Sequence, residues 1–138
     1  MITRRLRAEF GAGPEVVQVD GSGLNPRSRL TGAALLRVLQ WAARDPGIGP
    51  DFGASLAVPG QDGTLRRRFA GGPSPILRAK TGTMSNPPVS GMAGWFDAPD
   101  GPVAFVLLMN GSGSWDSARM RSLQEGWIRE YRREYRRE

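Results

Sequence analysis

Arg78-Ala79-Lys80-Thr81-Gly82-Thr83 is the stretch on which the reading of this chain turns. With Ile76-Leu77 ahead of it, it has the composition of a β-strand over 76–83. Lys80 is the only lysine among the 19 Lys and Arg residues of the 138-residue chain. A sequence that uses arginine everywhere else has kept an amine here. The ammonium is a compact cation whose proton affinity responds to its surroundings, which a guanidinium cannot match. Taken alone, the triplet is also compatible with an ordinary strand end running into a turn. A phosphate-binding loop does not fit, because Ala79 stands where that pattern needs glycine directly before the lysine.

Working outward, Ser90–Phe96 and Val103–Met109 read as two further strands. Asp97-Ala98-Pro99-Asp100-Gly101 between them carries a Pro-Asp-Gly turn signal and predicts an antiparallel hairpin. Upstream, Thr31 is placed to cap a helix running to about Arg44. Leu35, Val38, Leu39 and Ala42 supply its i, i+3, i+4, i+7 stripe, and Pro46 stops it. Residues 46–75 are rich in Gly and Pro, with one short helix expected near Phe52–Leu56. Residues 2–12 predict a short helix closed by Gly11 and Gly13-Pro14, and Val16–Val19 a short strand before the loop Asp20-Gly21-Ser22-Gly23. Beyond a Gly/Ser loop at 110–115, a last helix is expected from Asp116. Its apolar stripe reads as Met120, Leu123, Trp127 and Tyr131, extended by Tyr135. Docking Leu123 and Trp127 on the sheet would contribute roughly 1.5–3 kcal/mol each. Glu130–Arg133 and Glu134–Arg137 are i, i+3 pairs on a solvated helix end.

Composition removes whole classes of chemistry. The chain has no Cys and no His. Disulfides, thiol catalysis, Ser-His-Asp schemes and His- or Cys-ligated metals are therefore excluded. The net charge is +6. The arginines are dispersed, from Arg4, Arg5 and Arg7 through Arg66–Arg68 to five in the last ten residues. That balance permits an anionic-polymer binder, although no specific nucleic-acid motif accompanies it. The longest apolar run, Val103–Met109, falls far short of the roughly 20 residues a membrane helix needs. No apolar segment follows the basic start Met1–Arg7, so no signal peptide is read and the chain as written is cytoplasmic.

Four blocks in register carry a resemblance. They are Asp20-Gly21-Ser22-Gly23-Leu24 with Arg29-Leu30-Thr31; Ser55-Leu56-Ala57-Val58-Pro59-Gly60 with Asp62-Gly63-Thr64-Leu65-Arg66-Arg67-Arg68-Phe69; Arg78–Thr83; and Gly91-Met92-Ala93-Gly94-Trp95 with Val103-Ala104-Phe105 and Asn110. Over about residues 18–128 the chain resembles the C-terminal part of the D-alanyl-D-alanine carboxypeptidase/endopeptidase family of penicillin-binding proteins. The resemblance implies an α+β fold, an antiparallel sheet with flanking helices, as part of the β-lactamase-like serine transpeptidase fold. Residues 1–128 would be the C-terminal portion of that domain and 129–138 the Arg/Glu-rich end of the terminal helix. It implies secreted, periplasmic or extracellular serine hydrolases that act on peptidoglycan D-Ala-D-Ala peptides and are acylated by β-lactams, with no cofactor.

Such enzymes use Ser-x-x-Lys for nucleophile and base, a second motif of Ser with Asn shortly after, and Lys-Thr-Gly on a facing strand. By that resemblance Lys80, Thr81 and Gly82 are the catalytic wall. The lysine attracts a substrate carboxylate, the threonine hydroxyl bonds it, and the glycine leaves room. The Thr83 amide is half of an oxyanion hole, a device worth about 2.7–4 kcal/mol in comparable sites. The nucleophile motif is absent from this chain, because the residue three before its one lysine is Leu77. Asn25 and Ser28 are read as degenerate remnants of the second motif, and Ser22 as a turn-closing residue. Three expectations follow. This chain alone neither hydrolyses D-Ala-D-Ala nor forms a penicilloyl adduct. Apolar surface near Leu35, Leu39, Phe105 and Trp127 is uncovered, which favours self-association or docking of a missing N-terminal half. A non-catalytic peptide-binding domain is the alternative function.

Overall fold

The computed structural model describes residues 2–70, 77–112 and 116–134. In chain order these form α1 (Ile2–Phe10), α2 (Gly32–Arg44), α3 (Gly49–Ser55), a single 3-10 turn (Gly63–Leu65), β1 (Leu77–Ser85), β2 (Pro88–Ala98), β3 (Gly101–Asn110) and α4 (Ser117–Glu134). The strands make one antiparallel sheet in the order β1-β2-β3. The β2–β3 hairpin is tighter than the sequence predicts, and a second tight hairpin joins β1 to β2. Ser85 pairs with Pro88 and Ala98 with Gly101, so each strand runs further into its turn than its apolar core alone indicates.

Alternation along the strands gives the sheet two different faces. Leu77, Ala79, Met92, Phe96 and Phe105 point to one side. With Leu65, Phe69 and Ile128 they form the buried core beneath α4. On the other side α2 packs over β3, and α3 reaches the sheet through Phe52, whose ring meets Trp95 edge-on at 5.7 Å. At Gly94, on the α4 face, a Cβ would lie 2.0 Å from the Arg78 carbonyl oxygen and 2.7 Å from Ala79 Cα. The close approach of β1 and β2 therefore requires glycine at that position.

Helix α2 begins as expected: Thr31 Oγ1 accepts from the Ala34 amide at 3.1 Å. Residues Ala34, Leu39 and Ala42 are its buried positions. α3 starts ahead of the predicted Phe52–Leu56. Asp45 Oδ1 accepts from the amides of Gly47 (2.8 Å) and Ile48 (3.2 Å), and Pro50 occupies the first turn, where its missing N–H costs nothing. Val16–Val19 is not a strand but a single bridge, Val17 to Arg29.

The apolar stripe read along α4 holds at Met120 and is overturned beyond it. Met120, Gln124 and Ile128 face the sheet, while Leu123, Trp127 and Tyr131 are 39%, 55% and 57% exposed. The reason is a polar contact. Gln124 is fully buried, donates through Nε2 to Ser90 Oγ at 3.1 Å and accepts from Arg68 at 3.2 Å. A buried amide with its partners satisfied costs little. Spacing of i, i+4, i+8 then rotates the larger side chains off the sheet. Leu39 and Phe105, also expected to be uncovered, are buried. The Glu130–Arg133 pair forms as expected, whereas Tyr135 and Glu134–Arg137 reach beyond the described residues.

Candidate functional site

The candidate site is the outer edge of β1. One side of that strand is hydrogen-bonded to β2; the other meets the segment 56–65. There the Ala79 amide donates to the Ala57 carbonyl at 2.9 Å. Leu56, Pro59 and Leu65 anchor the segment in the interior. Asp62 Oδ1 accepts from the Val58 amide at 2.7 Å and closes its turn. Gly63 adopts φ +50, a left-handed conformation that glycine enters at least cost. This chain of anchors sets Thr64 opposite Thr81, and the two hydroxyl oxygens are 2.7 Å apart.

Direction along the strand follows from that bridge. With the Ala79 N–H pointing outward, two-residue alternation puts the Thr81 and Thr83 N–H groups on the same outer edge. The Thr81 carbonyl on this edge accepts from Lys80 Nζ. Lys80 is exposed, and its neighbours on that face are Gly82, Gly91 and Ala93. A Cβ added at Gly82 would meet nothing within 4 Å. The result is an ammonium, two threonines and outward amides around an open strand edge with a floor of small residues. An extended chain ending in a carboxylate fits such an edge, its backbone pairing with the strand and its charge meeting the ammonium.

Asn25 and Ser28 are bonded within their own loop. Asn25 Oδ1 accepts from the Arg27 amide at 3.0 Å, and Ser28 Oγ accepts from the Val19 amide at 3.3 Å. Both bonds close the loop joining Val17 to Arg29, and no bond among the described residues links either side chain to β1. Ser22 closes its turn as expected. Its amide (2.9 Å) and hydroxyl (2.7 Å) both donate to Asp20 Oδ1, and its hydroxyl accepts from the Leu24 amide at 3.1 Å. These two donors hold the Asp20 carboxyl below the usual carboxylate range.

Behind the site lies a polar clamp that sequence reasoning missed. Glu125 accepts from Arg68 Nε at 2.8 Å and from the Phe69 amide at 3.0 Å. Arg68 also donates to the Arg121 carbonyl at 3.0 Å. Arg68 and Arg129 each lie 5.8 Å from the centre of the buried Phe69 ring. Phe69 has φ 62, a strained value for a bulky residue. The Arg66-Arg67-Arg68 run was the available signal, but charge alone did not distinguish one partly buried arginine from two exposed ones.

The same fold recurs in penicillin-binding proteins. Penicillin binding protein 4 from Haemophilus influenzae, solved in complex with a β-lactam, superimposes with a TM-score of 0.72 at 24% identity, over 87% of this chain and 29% of that one. A second structure of that protein gives 0.68 at 25% identity, over 84% and 26%. The chain belongs to the D-Ala-D-Ala carboxypeptidase 3 (S13) family, whose pattern matches residues 2–131. It is 36% identical over 98 residues to a D-alanyl-D-alanine carboxypeptidase of Actinomadura sp. (strain R39), covering 67% of this chain. The chain thus spans about a fifth of that relative's length (18%).

Proposed function

We propose that this chain is the carboxylate-recognising part of a serine-type D-Ala-D-Ala carboxypeptidase, a hydrolase of peptidoglycan stem peptides. The observation that carries this reading is the Lys80-Thr81-Gly82 edge with its outward threonine amides, in a chain of this family. In this reading the terminal carboxylate of the peptide meets Lys80 and the Thr81 hydroxyl. The penultimate residue lies along β1, and the Thr83 N–H faces the carbonyl that would be attacked. Gly82 supplies the clearance. Asn25 and Ser28 act as loop residues and contribute to substrate binding only through the loop they close.

Acylation needs a nucleophile beside a base. This chain has no Ser-x-x-Lys, since its single lysine follows Leu77 by three positions. The chain alone therefore binds without cleaving, and a β-lactam leaves no covalent adduct. A periplasmic or extracellular setting, where peptidoglycan lies, fits this substrate, and no helix among the described residues is long and apolar enough to cross a membrane. The arginines are dispersed along the sequence, and no specific nucleic-acid motif accompanies them. That weighs against the anionic-polymer reading.

Two measurements test the proposal. Intact mass after incubation with a β-lactam is expected to be unchanged; a gain of one β-lactam would refute the inactive assignment. Calorimetric titration with an N-acylated D-Ala-D-Ala dipeptide is expected to give saturable binding that Lys80→Ala abolishes. Equal binding by both proteins would refute the role of Lys80.

A further inference from the structure

The hydroxyl pair of Thr64 and Thr81 extends the recognition apparatus beyond the strand. We propose that Thr64 is a positioning residue that fixes the Thr81 hydroxyl for carboxylate recognition, an inference that rests on the function proposed above for the β1 edge. A threonine hydroxyl has one proton to donate and two lone pairs to accept with. The two oxygens are 2.7 Å apart, so either hydroxyl can donate to the other by rotation. With Thr81 as the donor, its oxygen turns lone pairs outward, which suits no carboxylate. A bound carboxylate selects the opposite sense. Thr64 then donates to the Thr81 oxygen, and the Thr81 proton is released to the carboxylate. The bond between the two oxygens persists throughout, the Thr81 hydroxyl gains a second to the carboxylate, and no proton leaves its own oxygen.

The surrounding anchors make this a built feature of the fold. Thr64 lies in a 3-10 turn whose next residue, Leu65, is fully buried. Gly63 at φ +50 shapes the entry to that turn, and a Cβ there would approach Ala57 Cβ to 3.0 Å. Ala57 is itself bonded to Ala79, two residues before Thr81. The segment is thus bound to β1 on one side and to the core on the other. Thr64 remains exposed, so its hydroxyl is spare to the packing.

The test compares Thr64→Val with Thr64→Ser in the full chain. The probes are the acylated D-Ala-D-Ala dipeptide and the same dipeptide as its C-terminal amide. Thr64→Val is expected to weaken the carboxylate peptide by roughly three- to tenfold, the range of one hydrogen bond, and to leave the amide unchanged. Thr64→Ser is expected to restore wild-type preference. Adding Thr64→Val to Thr81→Val is expected to cost nothing further, because the two share one interaction. Three-bond couplings across the Thr81 side chain supply a reading independent of any ligand. They are expected to shift towards rotamer averaging in Thr64→Val and to stay at wild-type values in Thr64→Ser. Unaltered couplings in Thr64→Val would overturn the positioning role. Altered couplings in a chain that binds neither peptide would instead overturn the carboxylate reading of the edge.

Discussion

At Gly82 and Gly94 the same residue type answers two opposite demands. Gly94 is closed in: an added Cβ would strike the Arg78 carbonyl oxygen at 2.0 Å. Gly82 is open, with nothing within 4 Å of an added Cβ. Thermal melts should separate them. Gly94→Ala is expected to lose about 1–3 kcal/mol of stability or more, through overpacking against backbone. Gly82→Ala is expected to melt within about 0.5 kcal/mol of wild type, as surface substitutions do, yet to lose peptide binding. Retained binding in Gly82→Ala would remove the clearance argument. A third residue, Asp20, titrates in a known direction. Its carboxyl is held below the ordinary range by the Ser22 hydroxyl and amide. The support it gives its turn is fully present above the unfolded carboxylate value of about 3.9. That support is lost as pH falls through the lower folded value. The Ser22 amide resonance in an acid titration should report a midpoint below that of an unstructured Asp peptide.

Among the elements, α4 rests on a polar contact. Glu125 holds Arg68 and the amide of the strained Phe69, and Gln124 reaches Ser90 through the core face. Glu125→Ala leaves a partly buried guanidinium and an N–H without that acceptor. A loss of about 1–3 kcal/mol in chemical denaturation is expected. An unchanged midpoint would show that the clamp is dispensable. This element also marks how far sequence carries the fold. The hairpin β2–β3 and the start of α2 were legible, because Pro99-Asp100-Gly101 and Thr31 act locally through turn and cap chemistry. The Lys80-Thr81-Gly82 strand was legible from its single lysine and the blocks around it. The facing of α4 was not, because Trp127 and Gln124 exchange places through a long-range partner, Ser90, that no helical periodicity contains. Thr64 escaped for the same reason: its partner lies 17 residues along the chain.

For the whole molecule, uneven covering of the sheet is the governing fact. Its core lies under α4, while β3 is an edge strand with no further strand beside it among the described residues. Leu24, Trp41, Trp127 and Tyr131 are 72%, 46%, 55% and 57% exposed. Unpaired edges and large exposed apolar groups favour association. The chain is therefore expected to show a melting temperature and a sedimentation coefficient that rise with its concentration. Values constant from micromolar to millimolar would count against this. The central claim is that the outer edge of β1 receives a peptide carboxylate, and amide chemical-shift mapping during titration with acylated D-Ala-D-Ala tests it most directly. The account predicts saturable shifts at Thr81 and Thr83 that Lys80→Ala removes. Shifts confined to the arginine-rich surface of α4, or none at β1, would contradict it.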